Sequence, residues 1–329
     1  MRLLPILSAL ALCAAVEAAP DKMQAVEIGS DGSLTVQWRS VPRPNAGEVL
    51  LKVRAAGVNP VDWKVAPRRV GMVPGTDVAG VIDTLGEGVN GWKVGEPVLG
   101  FARGSGSYAE YAVVPLTSLA RKPKSMTFEQ AAGVPIAAET AYRALHESGG
   151  IKSGQTVLIH GAAGGVGSAA VQIAKAAGAR VIGTASPNNH EFLKSLGADA
   201  VIDYRTQKFE ALVKDADIVL NTVDAATNAR SIGVVRPGGV LVSIVGSPNL
   251  AACAAAEIRC RRPNRETGAP TADLLERIAE LADAGKFRVH VEATYPMAET
   301  AKAWMKSREG HTRGKLVIQV SPGPTMKHQ

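Results

Sequence analysis

Thr156-Val157-Leu158-Ile159-His160-Gly161-Ala162-Ala163-Gly164-Gly165-Val166-Gly167 decides the fold of this 329-residue chain. An apolar run of strand length enters a glycine cluster, and an alanine-rich helical pattern leaves it. Glycines at such a turn let backbone N–H groups approach a phosphate, and the following helix turns its positive end toward the same spot. The segment therefore reads as a dinucleotide pyrophosphate site, with Gly161, Ala162, Ala163, Gly164, Gly165, Val166 and Gly167 as its cradle. A glycine cluster alone is a weak signal. Here a second strand, Arg180–Thr184, follows the helix on schedule, and this context strengthens the reading.

Downstream of about Ile151 strands and helices alternate. Strands are expected at Thr156–His160, Arg180–Thr184, Ala200–Asp203, Ile218–Asn221 and Val240–Ile244, with helices at Gly167–Ala177 and Glu191–Leu196 among them. Alternation of this kind gives right-handed βαβ units and a parallel sheet. Arg236-Pro237-Gly238-Gly239 reads as a tight turn. A helix at Ala272–Gly285, another at Ala298–Ser307 and a strand at Lys315–Val320 complete the chain. Upstream, from Met23 to about His146, the pattern is β-rich: Gln24–Ile28, Thr35–Arg39, Glu48–Ala55, Val78–Leu85 and Ala109–Val114 read as strands, Thr127–Ala132 and Ile136–Glu147 as helices.

Composition is that of an ordinary globular protein, 46% hydrophobic and 20% charged, and the length suits about two domains. The net charge of +7 is spread along the chain. Arg259-Cys260-Arg261-Arg262, with Arg265 nearby, lacks interleaved aromatics and reads as a solvated loop, not a nucleic-acid or membrane patch. The three cysteines do not have zinc-site spacing. Cys253 and Cys260 would pair only in an oxidising compartment. Residues 1–19 look like a secretory signal peptide: Arg2, an almost wholly apolar Leu3–Val16, then small residues up to Ala19. The competing reading is a start at Met23 and a cytoplasmic protein. Nothing else in the chain suggests a membrane span.

The end of the second βαβ strand bears on cofactor choice. An NAD site places a carboxylate there for the ribose hydroxyls. This chain has Thr184-Ala185-Ser186-Pro187-Asn188-Asn189-His190. Ser186, Asn189 and His190 are candidate donors to a 2′-phosphate, and Tyr204 and Arg205 add a hydroxyl and a charge. NADP(H) is the expected cofactor.

Several stretches together resemble the zinc-free quinone oxidoreductase (zeta-crystallin-like) branch of the medium-chain dehydrogenase/reductase superfamily. They are Gly57-Val58-Asn59-Pro60-Val61-Asp62-Trp63-Lys64, Pro74-Gly75-Thr76-Asp77-Val78-Ala79-Gly80, Gly86-Glu87-Gly88-Val89, Gly106-Ser107-Tyr108-Ala109-Glu110-Tyr111, His160–Gly167, Leu196-Gly197-Ala198-Asp199, Arg236-Pro237-Gly238-Gly239 and Arg313-Gly314-Lys315. The resemblance implies an α/β protein with a GroES-like β-rich catalytic domain, residues 23–146 and 292–329, and an inserted Rossmann domain with a doubly wound parallel sheet, residues 147–291. It also implies a cleft between the two and a homodimer.

By the same resemblance, Asn59 and Asp62 lie near the nicotinamide, Thr140 touches it, and Ile244, Val245, Gly246 and Lys315 hold the nicotinamide half. Lys64 matches a lysine of the enone reductases but reads equally well as a surface residue. Tyr108 lines the pocket or belongs to the core. Zinc enzymes of the superfamily carry Cys where Asn59 stands and a His-Glu pair near Thr76-Asp77, so no metal is expected. Two departures are the short Lys64–Pro74 loop and Glu139, a carboxylate expected near the nicotinamide. His146, His160, His290 and His311 read as structural. The implied activity is hydride transfer to a small electrophile, a quinone or an α,β-unsaturated ketone or aldehyde. A non-catalytic NADPH-binding sensor and an enoyl-thioester reductase are the competing readings.

Overall fold

The structure is a computed structural model that describes residues 19–104, 106–263 and 271–320. The signal-peptide reading, with Cys13, and Arg265 of the basic run lie outside the described residues. The β-rich part comprises β1 (Lys22–Ile28), β2 (Leu34–Ser40), β3 (Glu48–Val58), α1 (Pro60–Val65), β4 (Asp77–Leu85), β5 (Pro97–Phe101), β6 (Tyr111–Pro115), β7 (Leu119–Arg121), α2 (Phe128–Ala132) and α3 (Pro135–Tyr142). The alternating part comprises β8 (Thr156–His160), α4 (Gly165–Ala176), β9 (Arg180–Ala185), α5 (His190–Ser195), β10 (Ala200–Asp203), α6 (Phe209–Leu212), β11 (Ala216–Asn221), α7 (Ala225–Ser231), β12 (Val235–Ser243), α8 (Leu250–Ala255) and β13 (Arg259–Arg261). After α9 (Thr271–Asp283) come β14 (Val291–Pro296), α10 (Thr300–Arg308) and β15 (Lys315–Gln319).

The six strands of the second part form a parallel sheet in the order β10-β9-β8-β11-β12-β13. The order reverses beside β8, so a crevice opens at its carboxyl end, where the glycine cluster sits. Strands β8, β9 and β11 are apolar nearly throughout because helices cover both sheet faces. β1 and β2 pair antiparallel in a two-stranded sheet of their own, and a seven-stranded sheet, order β14-β15-β3-β4-β5-β7 with β6 also on β3, combines strands from before and after the parallel sheet. β15 pairs antiparallel with β3, Leu316 opposite Val58. The tail thus returns to a strand laid down near the start, and the alternating part lies between them in sequence.

Four strands escape the sequence patterns. β7 and β13 have three residues each, too few to display a period. β5 starts at a proline, and β14 is a half-exposed edge strand. Arg236-Pro237-Gly238-Gly239 is not a separate turn before its strand. It lies within β12, where the register against β11 shifts between Ala216 and Ile218, and Gly238 takes a positive φ of 73°. The helix read at Ile136–Glu147 is α-helical only to Tyr142; residues 143–148 widen into a π turn. Cys253 and Cys260 are joined by a disulfide that ties α8 to β13. No described helix is long and apolar enough to cross a membrane.

Candidate functional site

The glycine cluster owes its shape to close contacts. Gly161 has φ +67°, and a β-carbon there would stand 2.6 Å from Thr222 Oγ1. At Gly167 a β-carbon would stand 2.2 Å from the Gly161 carbonyl oxygen, so only glycine lets α4 settle against the loop. Gly183 of β9 gives similar room to Ala162, whose N–H donates to Thr184 O at 3.1 Å. Gly164 begins α4 with no side chain capping its first turn. A helix start with uncapped N–H groups beneath a glycine loop suits a pyrophosphate. His160, the last residue of β8, is not a ligand candidate: it is buried between Thr184 Oγ1 (3.3 Å) and Ser231 Oγ (3.0 Å), and burial depresses its pKa to about 4.

A cavity of about 540 Å³ opens beside this loop, lined by Gly161, Ala163, Gly164, Ser186, Asn189 and Tyr204 among others. A second cavity of about 400 Å³ adjoins it and gathers Ser186, Asn189, Arg205, His290, His311 and Arg313, with Glu292 at its wall. Arg313 reaches the loop after β9, where its Nε donates to Asn189 Oδ1 at 2.6 Å and its Nη2 to Asn188 O at 2.7 Å. Asn189 in turn donates to Ser186 Oγ at 3.1 Å. Ser186, Asn189, Tyr204 and Arg205, expected near the phosphate from the sequence, line these cavities; His290, His311 and Arg313 join them from elements that no local pattern links to the loop after β9. His190 lines neither cavity; its Nε2 is buried without a partner. It stands where the loop passes into α5, outside the two cavities.

A buried polar cluster lies where the end of β3, the start of β4, α3, the start of α4 and the start of β15 converge. Asn59 precedes α1, and Asp62 answers it across the first turn: Asp62 Oδ2 accepts the Asn59 N–H and the Tyr108 hydroxyl, both at 2.8 Å. Tyr108 is fully buried, so it belongs to the core and serves the site through Asp62. Asp77, at the first position of β4, is also fully buried and accepts the Ile136 N–H at 3.2 Å. Lys315 Nζ donates to Val58 O at 3.0 Å and to Asn59 Oδ1 at 2.5 Å, and stands 3.8 Å from Asp77 Oδ2.

Burial moves every charge in this cluster toward neutrality. It raises Asp62 to about 7, with Asp77 adding to the rise. Asp77 rises to about 6 against the opposing pull of Lys315. Burial lowers Lys315, and both carboxylates resist that. Asn59 Nδ2 is buried and, beyond its pull on the Asp77 carboxylate, meets no hydrogen-bond partner.

The remaining candidates are placed differently. Thr140 is buried on α3. Lys64 is exposed on α1, its ammonium 5.3 Å over the Trp63 ring, so the surface reading describes its position. Glu139 does not offer a carboxylate to the cleft as expected: Arg143 Nε (3.0 Å) and Thr271 Oγ1 (2.9 Å) hold it toward α9. Ile244, Val245 and Gly246 follow β12, where Ile244 N–H donates to Asn221 O and Asn228 holds the Val245 carbonyl. Among the described residues no group of three His, Cys, Asp or Glu side chains could hold a metal ion. Sequence reading undervalued Asp77, although the change from Glu to Asp beside Thr76 marked the spot.

Residues 45–124 match the alcohol dehydrogenase GroES-like domain family, and residues 196–318 match a zinc-binding dehydrogenase family. The chain is 34% identical over 301 residues to a chloroplast envelope quinone oxidoreductase homolog of Arabidopsis thaliana, covering 85% of this chain and 92% of that one. It is 32% identical to the NADPH-dependent alkenal/one oxidoreductase of Arabidopsis chloroplasts, covering 86% and 74%. The quinone oxidoreductase structure from Coxiella burnetii superposes with a TM-score of 0.82 at 29% identity, covering 91% of this chain and all of that one. With these matches spanning both parts of the chain and a glycine loop at the switch point, the chain belongs to the quinone oxidoreductase branch of the medium-chain dehydrogenase/reductase superfamily and is an oxidoreductase.

Proposed function

We propose that this protein reduces quinones or α,β-unsaturated ketones and aldehydes with NADPH and without a metal. One observation carries the reading: beside the glycine loop, at Asn59, a lysine ammonium and an amide stand where a metal enzyme needs thiolate or imidazole ligands. Alcohol oxidation would lack a Lewis acid for its alkoxide, whereas an acceptor that gathers charge on oxygen needs only hydrogen-bond donors. A nicotinamide held in the cleft would supply a hydride, a proton with two electrons, for the electron-poor carbon. The π pair of the acceptor moves to its oxygen, and a proton from water completes the reduced product.

The chain's own residues hold the parts in place. The glycine loop and the start of α4 receive the pyrophosphate. Arg205 and Arg313, with Ser186, are positioned to receive a 2′-phosphate, and the absence of a carboxylate after β9 removes the group that would repel it.

Steady-state oxidation of NADPH with 1,4-benzoquinone, 9,10-phenanthrenequinone and an enone, beside NADH controls and with a chelator, tests the proposal. Turnover that prefers NADPH and survives the chelator supports it. Turnover lost to the chelator, or equal efficiency with NADH, overturns the corresponding part. NADPH binding without turnover on any acceptor favours a sensor.

A further inference from the structure

We infer that Lys315 is a positioning residue that makes the Asn59 side-chain amide the hydrogen-bond donor to the substrate oxygen on which charge gathers; the inference rests on the reductase reading above.

The argument begins with which way the amide faces. A lysine ammonium can only donate, so the Asn59 atom 2.5 Å from Lys315 Nζ is the carbonyl oxygen, and the amide cannot turn over without setting two donors against each other. Nδ2 is thereby fixed on the other side. The residue is 3% exposed, and Nδ2 meets no partner beyond Asp77. Leaving a buried donor unsatisfied is costly, so its persistence beside the paired Asp62 and Lys315 calls for a partner that arrives with a ligand. Asp77 draws on this amide, whose side-chain hydrogen bond holds its pKa down, but that pull engages at most one of the two hydrogens on Nδ2, and no other neighbour takes the second.

Two further features fit a donor to a developing oxyanion. An ammonium bound to the carbonyl end of an amide draws electrons toward it and strengthens the N–H groups at the other end. The placement is also suitable. The Lys315 stem runs past the start of α4, where a β-carbon on Gly165 would lie 3.0 Å from Lys315 Cδ. The pair therefore stands beside the loop read as holding the pyrophosphate. Lys315 is 5% exposed, and Asp77 and Asp62 favour its charged form there. Tyr108 and Asp62 hold the Asn59 backbone, so the amide is fixed at both ends.

The test uses the full-length protein and three variants. Lys315→Met removes the positioning cation, Lys315→Arg keeps a donor, and Asn59→Asp removes Nδ2 while keeping an acceptor for Lys315. Each is checked for folding by its thermal melt and for NADPH affinity by fluorescence titration. Two quantities are read: kcat and KM for an enone, and the apparent pKa of 4-nitrophenol bound to the NADP+ complex, followed by its absorbance. Lys315→Met and Asn59→Asp are expected to lower kcat roughly 100-fold with KM for the enone changed little, and to raise the pKa of the bound phenol. Lys315→Arg should recover part of both. A folded Lys315→Met that keeps kcat and the phenol pKa overturns the inference, as does one whose only change is weaker NADPH binding. If the wild type reduces no quinone or enone, the reductase reading fails separately. The phenol titration then still shows whether Asn59 and Lys315 stabilise an oxyanion.

Discussion

Gly167 sits so close beneath Gly161 that a β-carbon on it would come within 2.2 Å of the Gly161 carbonyl oxygen and 2.7 Å of Ala162 Cα. Both obstacles are backbone, and neither can swing aside. Gly167→Ala must push α4 away from the loop whose N–H groups are to meet the pyrophosphate. We expect a loss of about 2 kcal/mol in stability and at least about tenfold in NADPH affinity. A urea titration and a fluorescence titration measure the two. Gly164→Ala, whose β-carbon would meet only the Gly161 carbonyl oxygen, 3.5 Å away, is the milder control.

Arg313 ties the tail to the loop after β9 through Asn188 and Asn189. If this corner receives a 2′-phosphate, Arg313→Ala will raise KM for NADPH by roughly tenfold and leave KM for NADH nearly unchanged. Arg205→Ala should act in the same direction. Equal losses for both cofactors would show that Arg313 merely braces the loop.

His160 makes an acid-side contribution to stability. Its folded pKa lies near 4, below the ordinary value of 6.5 that the unfolded chain would show. The unfolded state takes up the proton first as pH falls, so stability is full above about 6.5 and is lost on the way to about 4, by up to about 3 kcal/mol. Urea midpoints for the wild type and His160→Gln between pH 7.5 and about 4.5 should converge as the pH falls.

Asp62 works with the opposite sign. Its folded pKa, about 7, lies above the ordinary 3.8. The stability it contributes is therefore present at low pH and is lost as pH rises through about 7. Asp62→Asn can keep both hydrogen bonds at the position of Oδ2, since an amide imitates the protonated carboxyl. The variant's advantage over the wild type should be small near pH 5 and larger near pH 8, as thermal melts at the two values would show. A variant less stable at both would mean that the carboxylate itself is needed.

Sequence reading reached the parallel sheet and the glycine loop because both depend on local pattern: apolar runs of strand length, glycines where a close approach demands them, helices between. It reached Asn59 and Lys315 only through resemblance, each as a separate residue. Their contact spans 256 positions, and no local pattern encodes it. Arg313 was passed over for the same reason, since its partners Asn188 and Asn189 lie on another element. Glu139 was misjudged because the sequence gives no sign that Arg143, one turn on, and Thr271 of α9 would both engage it. Short strands such as β7 and β13 were missed because they are held by their neighbours and not by their own composition.

The return of β15 to β3 has a consequence for biosynthesis. Gly314 bridges to Gly164 and donates its N–H to Ala163 O, so the tail helps to close the loop at the head of α4. The parallel sheet can be assembled from residues already made, whereas Lys315 reaches Asn59 only after the chain has grown 256 positions beyond Asn59. Contacts of such long range come late and are slow to form. A nascent or C-terminally clipped chain would therefore carry a folded nucleotide sheet beside an unfinished reaction centre. Competence would arrive with the last strand to dock, a timing that keeps half-made molecules from spending reductant.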